Sequence, residues 1–184
     1  MSIPTLEEKM AALKVTPASP YERKCADALT RGAYEIAVQR TADILDEGYE
    51  IFMRSSRSSM GVAGDSIVAM FNASGDLVNA SAGTYLHAII PPIVIKYIIK
   101  NYSENPGIKD GDIFYTNDAL YGGIHNPDQV AITPVFFDET LVGWTAALSH
   151  TTETGAKEPG GMPVSATSRF EEGMNLPPMK IGEN

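Results

Sequence analysis

The chain has 184 residues, a hydrophobic fraction of 43% and a formal net charge of -9. That length holds one domain, or one domain with an extension, and the apolar content is enough for a real core. The negative charge argues against a nucleic-acid footprint and against docking on an anionic membrane, and no apolar run reaches the roughly 18 residues of a spanning helix. The start, Met1-Ser2-Ile3-Pro4-Thr5, lacks the basic and apolar regions of a signal peptide. The single Cys25 excludes an internal disulfide framework and fits a reducing cytoplasm.

Residues 1–19 are expected to form an N-terminal arm. Within it, Thr5-Leu6-Glu7-Glu8 has the capping-box spacing that starts a short helix to about Lys14, and Thr16-Pro17-Ala18-Ser19-Pro20 breaks it. Such an arm more often docks on a neighbour or stays mobile than carries chemistry. Residues 20–184 are expected to form the main body. A long helix is predicted from about Pro20 to Arg54, with Leu29, Ala33, Ile36, Ala37, Arg40, Ile44, Leu45 and Tyr49 at three-to-four spacing. Gly32 and Gly48 are its weak points. Its end carries Arg54 and Arg57, which complement the helix dipole or face an anionic substrate.

Ser55 to Asp65 reads as a loop, and no Gly-Lys-Ser/Thr follows its glycines, so it is not a phosphate loop. Ile67–Phe71 and Leu77–Ala80, joined by a Gly-containing turn, predict a hairpin. A helix is predicted from Pro91, with Ile93, Val94, Tyr97 and Ile98 as its buried stripe. His87, just ahead of it, reads as a structural histidine or as a support for a nearby metal or substrate. Asn105-Pro106-Gly107 ends that helix, and Ile113-Phe114-Tyr115 is a short strand.

The chemistry concentrates in Gly122-Gly123-Ile124-His125-Asn126-Pro127-Asp128 and in His150. Val130–Phe137 and Leu141–Leu148 flank the turn Asp138-Glu139-Thr140 and predict a second antiparallel hairpin. If Phe136 opposes Leu141, Asp128 falls opposite Ser149, and His125, Asp128 and His150 meet at one end of the ladder. Two imidazoles and a carboxylate, with room left for water, make a common shell for a catalytic Zn2+, Mn2+ or Fe2+, and Mn2+ and Zn2+ suit it equally. A hydrogen-bonded Asp–His pair at a strand end is the plainer reading of the same residues. Cys25 lies far from both histidines in sequence, so nothing supports a Cys–His mechanism. After His150 the apolar pattern gives way to a turn-rich loop, and no closing element is expected before Asn184. The fold class is α+β: antiparallel hairpins packed against a long helix and a shorter one, incomplete without further segments or partner chains.

Gly111-Asp112-Ile113-Phe114-Tyr115-Thr116-Asn117-Asp118, Gly122-Gly123-Ile124-His125-Asn126-Pro127-Asp128 and Thr133-Pro134-Val135-Phe136 together resemble the signature of the hydantoinase B family. The resemblance runs from about Thr30 to the end. Ser149-His150-Thr151-Thr152-Glu153, Pro159-Gly160-Gly161-Met162-Pro163 and Arg169-Phe170-Glu171-Glu172-Gly173 look closer to the acetone and acetophenone carboxylase branch than to the hydrolases. Members of this family are several times longer, so the chain corresponds to the N-terminal part of such a subunit, split or excised.

The resemblance implies an ATP-dependent ketone carboxylase subunit, inactive alone, that adds bicarbonate-derived CO2 to a ketone enolate. It maps a divalent metal, manganese by preference, onto His125, Asp128 and His150. It leaves His87 and Glu153 as candidates for proton transfer or metal support. It places ATP and Mg2+ on a hydantoinase A-like partner among other carboxylase subunits. Two rivals stay open: ATP-dependent opening of a hydantoin or oxoproline ring, and a non-catalytic structural subunit.

Overall fold

The computed structural model describes residues 2–183. Its centre is a six-stranded sheet in the order β2-β1-β5-β4-β3-β6, with every neighbouring pair antiparallel. The strands are β1 (Ser66–Asn72), β2 (Leu77–Ala82), β3 (Ile113–Thr116), β4 (Asp128–Phe137), β5 (Thr140–His150) and β6 (Met179–Gly182). Both predicted hairpins form. The last strand is a finding against expectation: Met179–Gly182 pairs with β3 and closes the sheet edge. Its pattern is too short to distinguish it from the preceding loop.

Ile67, Ala69 and Phe71 on β1, Val130 and Ile132 on β4, and Trp144, Ala146 and Leu148 on β5 share one buried face. The helix α6 (Pro91–Tyr102) covers it with Val94, Ile95 and Ile98, all at most 1% exposed. The stripe Ile93, Val94, Tyr97 and Ile98 is buried as the spacing predicts. On the opposite face, α3 (Ala33–Ser55) packs over β1 and β2, and Gly48 brings its backbone close to Val68.

The expected single helix from Pro20 to Arg54 is two helices. The first, α2 (Pro20–Asp27), starts at a Ser19/Glu22 capping box, and α3 begins after Gly32, whose φ of 83° is left-handed. The three-to-four spacing along this stretch does not produce a wide buried face. Leu45 is the buried residue of α3, while Ile36 is 58% and Ile44 is 60% exposed. Periodicity identified the helix, but the sheet meets only a narrow line of it.

The arm holds α1 (Leu6–Ala12), with its capping box at Thr5 and Glu8 in place. It is tied to the body of the same chain. The Lys96 ammonium on α6 donates to the carbonyls of Ala12 (2.8 Å) and Lys14 (2.9 Å) and pairs with Asp76 (2.6 Å). The Thr16 N–H donates to the other Asp76 oxygen at 2.9 Å. A cavity of about 260 Å3 between arm and α6, bordered by Pro4, Ile93 and Tyr97, shares no residue with the histidines. Short helices α4 (Ser59–Val62) and α5 (Leu86–Ile89) complete the set, and α4 lies inside the stretch read as a loop.

Candidate metal centre

β4 begins with Asp128 and β5 ends with His150. Phe136 opposes Leu141 as expected, but the register shifts by one between Val135 and Phe136, so Asp128 stands opposite His150 and not Ser149. The bulge thus turns Asp128 and His150 onto the same face, since a one-residue slip exchanges the two faces of a strand. His125 precedes the strand in a turn closed by the Asp128 N–H donating to the His125 carbonyl at 3.0 Å. Asn117 holds this turn from below: its Nδ2 donates to the Asn126 carbonyl (2.9 Å) and the Met174 carbonyl (2.8 Å), and its Oδ1 accepts from the Leu176 N–H (2.7 Å).

His125, Asp128 and His150 offer ligand atoms that all lie within 4.8 Å of one another. His125 Nε2 is 3.2 Å from Asp128 Oδ2, and His150 Nδ1 is 3.2 Å from Asp128 Oδ1. The two rings sit 4.8 Å apart at 52°. The Asp128 side chain is 0% exposed, and its Oδ2 has no hydrogen-bond partner among the described residues. A buried carboxylate oxygen without a bond is costly. A buried carboxylate with an orphaned oxygen, grouped with two imidazoles, is a donor set that fits a divalent cation. Burial pushes the Asp128 carboxyl above its ordinary range, against the opposing pull of His125, His87 and His150, and Asp65 adds to the rise.

Asp65 is the residue that the linear sequence hides. It lies just before β1, and β1 pairs with β5 so that Ser66 opposes Ser149. Asp65 Oδ2 therefore reaches 3.5 Å from His150 Nδ1. Finding it requires the β1–β5 pairing, a long-range contact with no local signal. His87, on α5, is brought to the same place: its Nε2 is 3.6 Å from both Asp65 Oδ1 and Asp128 Oδ1. All three histidines of the chain thus gather at one sheet end.

Glu153 is placed differently. Its Oε1 accepts the backbone N–H groups of Thr154 (2.9 Å), Gly155 (2.8 Å) and Ala156 (3.3 Å), and its Oε2 accepts that of Gly160 (3.0 Å). These bonds hold the carboxyl below its ordinary range. Among the described residues no hydrogen bond or ion pair links Glu153 to the histidines, and its geometry is that of a loop organiser. That loop supplies Gly161, Met162, Pro163 and Val164 to an open cavity of about 380 Å3, with His125 and Asn126 on its other wall.

Fold and cluster define an α+β protein with a His/Asp donor centre at the end of an antiparallel sheet. The chain belongs to the hydantoinase B/oxoprolinase family, whose profile matches residues 32–184. It is 62% identical over 184 residues to the acetophenone carboxylase delta subunit of Aromatoleum aromaticum, covering 100% of this chain and 27% of that protein. It is 37% identical over 122 residues to the acetone carboxylase alpha subunit of Xanthobacter autotrophicus, covering 66% of this chain and 16% of that one. Its fold matches the nucleotide-free structure of acetone carboxylase with a TM-score of 0.74 at 30% identity, over 96% of this chain and 24% of that chain. It also matches the ATP-dependent caprolactamase of Pseudomonas jessenii, with a TM-score of 0.70 at 25% identity, over 83% of this chain and 26% of that chain. The chain thus spans about a quarter of the length of the acetophenone carboxylase subunit. No helix among the described residues is long and apolar enough to cross a membrane.

Proposed function

We propose that this chain is the metal-bearing N-terminal portion of a large subunit of an ATP-dependent ketone carboxylase, which adds bicarbonate-derived CO2 to a ketone enolate to form a β-keto acid. The observation that carries this reading is the 62% identity along the whole chain to the acetophenone carboxylase delta subunit. The site chemistry agrees with it. His125, Asp128 and His150 would hold a divalent cation, Mn2+ before Zn2+. When bound, such an ion supplies Lewis acidity toward a developing enolate oxygen or a phosphate oxygen. The chain's own contribution is to hold that charge-stabilising set beside the open 380 Å3 cavity that His125 lines together with Met162, Pro163 and Val164. ATP and its Mg2+ would be handled by a hydantoinase A-like partner subunit. The chain alone is expected to be inactive and to work inside a cytoplasmic hetero-oligomer.

The test is made on the complex that co-purifies with this chain. It should fix bicarbonate in a ketone- and ATP-dependent manner and carry about one divalent ion per copy of the chain. His125→Ala and His150→Ala should strip most of that metal, measured by elemental analysis, and abolish turnover. Caprolactamase subunit beta of Pseudomonas jessenii, 30% identical over 157 residues, makes cyclic-amide opening the rival outcome. ATP-dependent hydrolysis of a lactam or oxoproline without ketone-dependent fixation would replace the carboxylase reading. Unchanged metal content and turnover in both histidine variants would leave a structural subunit.

A further inference from the structure

Two carboxylates and two imidazoles close a ring at the sheet end. His150 Nδ1 faces Asp128 Oδ1 at 3.2 Å and Asp65 Oδ2 at 3.5 Å. His87 Nε2 faces Asp65 Oδ1 and Asp128 Oδ1, both at 3.6 Å. Acid and imidazole thus alternate around four side chains. Asp128 Oδ2 is left outside the ring, toward His125 and without a hydrogen bond.

We propose that Asp65 and His87 are a positioning pair that fixes Asp128 and His150 for cation binding, an inference resting on the metal reading above. His87 Nε2 stands 3.6 Å from one oxygen of each carboxylate, too far for a hydrogen bond but close enough to hold the edge of its ring between them. The hydrogen bond between His150 Nδ1 and Asp128 Oδ1 (3.2 Å) occupies that oxygen, with the His87 ring beside it, and leaves Oδ2 turned toward the cation. The His87 side chain is 5% exposed, so its ring has no freedom to leave that place. Asp65 is itself fixed from three directions. Its carbonyl accepts from the His150 N–H at 3.0 Å, its Oδ1 accepts from the Thr84 hydroxyl at 3.0 Å, and its Oδ2 faces the His150 ring. Supports of this kind orient ligands and are worth roughly 10- to 100-fold in metal affinity when removed.

The experiment uses the chain in its co-purified complex, stripped of metal and titrated with Mn2+ alone. Free Mn2+ is read by its electron paramagnetic resonance signal. Asp65→Asn and His87→Gln should each weaken Mn2+ binding by roughly 10- to 100-fold. The double variant should be little worse than the weaker single one, because the two residues act as one unit. A purely structural role is separated by melting. In the metal-free state Asp65→Asn should melt no lower than wild type, since it removes one of two facing carboxylates. On Mn2+ addition both variants should gain less melting temperature than wild type. Wild-type Mn2+ affinity in either variant overturns the pair. A metal-free melting loss large enough to account for the weakened binding overturns it as well. A wild-type complex that binds no Mn2+ overturns the underlying metal reading, and the pair with it.

Discussion

Asp76 and Asp128 are both buried carboxylates, and their surroundings treat them in opposite ways. For Asp76 burial is the largest single influence and raises its pKa, yet the bonds from Lys96 and Thr16 together outweigh it and leave the carboxyl below its ordinary value. For Asp128 burial again comes first, and three imidazoles fail to offset it. The first is a satisfied structural ion pair. The second keeps a buried oxygen without a hydrogen bond, which a divalent cation would satisfy on the proposed reading. Asp76 offers a clean test. Asp76→Asn leaves Lys96 its two carbonyls but removes the charge and weakens the hold on Thr16, at a cost of about 2 kcal/mol. Denaturant midpoints should fall accordingly, and trypsin should cut the arm faster near Lys14. Because the folded value is depressed, the stability from Asp76 is present above its ordinary 3.8 and is lost as pH falls through the lower folded value. The wild type should therefore converge on the variant at that acidic end.

At the scale of elements, the site depends on strand starts and ends meeting. The β4–β5 half was legible in the sequence: two apolar runs and a tight turn put His125, Asp128 and His150 at one end. The bulge at Val135/Phe136 was not legible, because the extra residue, Val142, is as apolar as its neighbours. Asp65 and the β1–β5 pairing were hidden for a different reason. Which hairpin docks beside which is decided by the whole buried face, from Phe71 opposite Trp144 to Ile67 opposite Leu148, and by no local residue. The junction after β2 tightens this further. A Cβ at Gly83 would lie 1.7 Å from the Gly64 carbonyl oxygen, the backbone directly before Asp65. Gly83→Ala should push the Gly64–Asp65 segment away from His150. Overpacking of this sort costs about 1–3 kcal/mol. The expected signature is a lowered melting temperature together with weaker Mn2+ binding. Gly107→Ala, where nothing lies within 4 Å but φ is 89°, should lower stability alone and leave binding intact.

The main buried core lies on one side of the sheet, and on the other α3 covers β1 and β2 but leaves its own outer surface largely exposed. α6 and the arm cover one face, while on α3 Tyr34, Ile36, Val38, Ile44 and Ile51 are 46–65% exposed. A helix with this many uncovered apolar residues, alongside a chain spanning about a quarter of its acetophenone carboxylase relative, is suited to contact with further protein. The helical period was readable from sequence; the buried face was not, because an apolar stripe looks the same whether the sheet or another chain covers it. The two cases separate by experiment. Replacing Ile36, Ile44 and Ile51 with Ser removes nothing from this chain's own core, so each change should alter its unfolding free energy by no more than about 0.5 kcal/mol. If another surface covers α3 in the assembly, the same triple variant should sharply reduce recovery of the co-purified subunits, while Leu45→Ala, at 3% exposure, should destabilise the chain itself by about 2–4 kcal/mol. Full recovery of the complex from the triple variant would show that the exposed face of α3 is not where the other subunits bind.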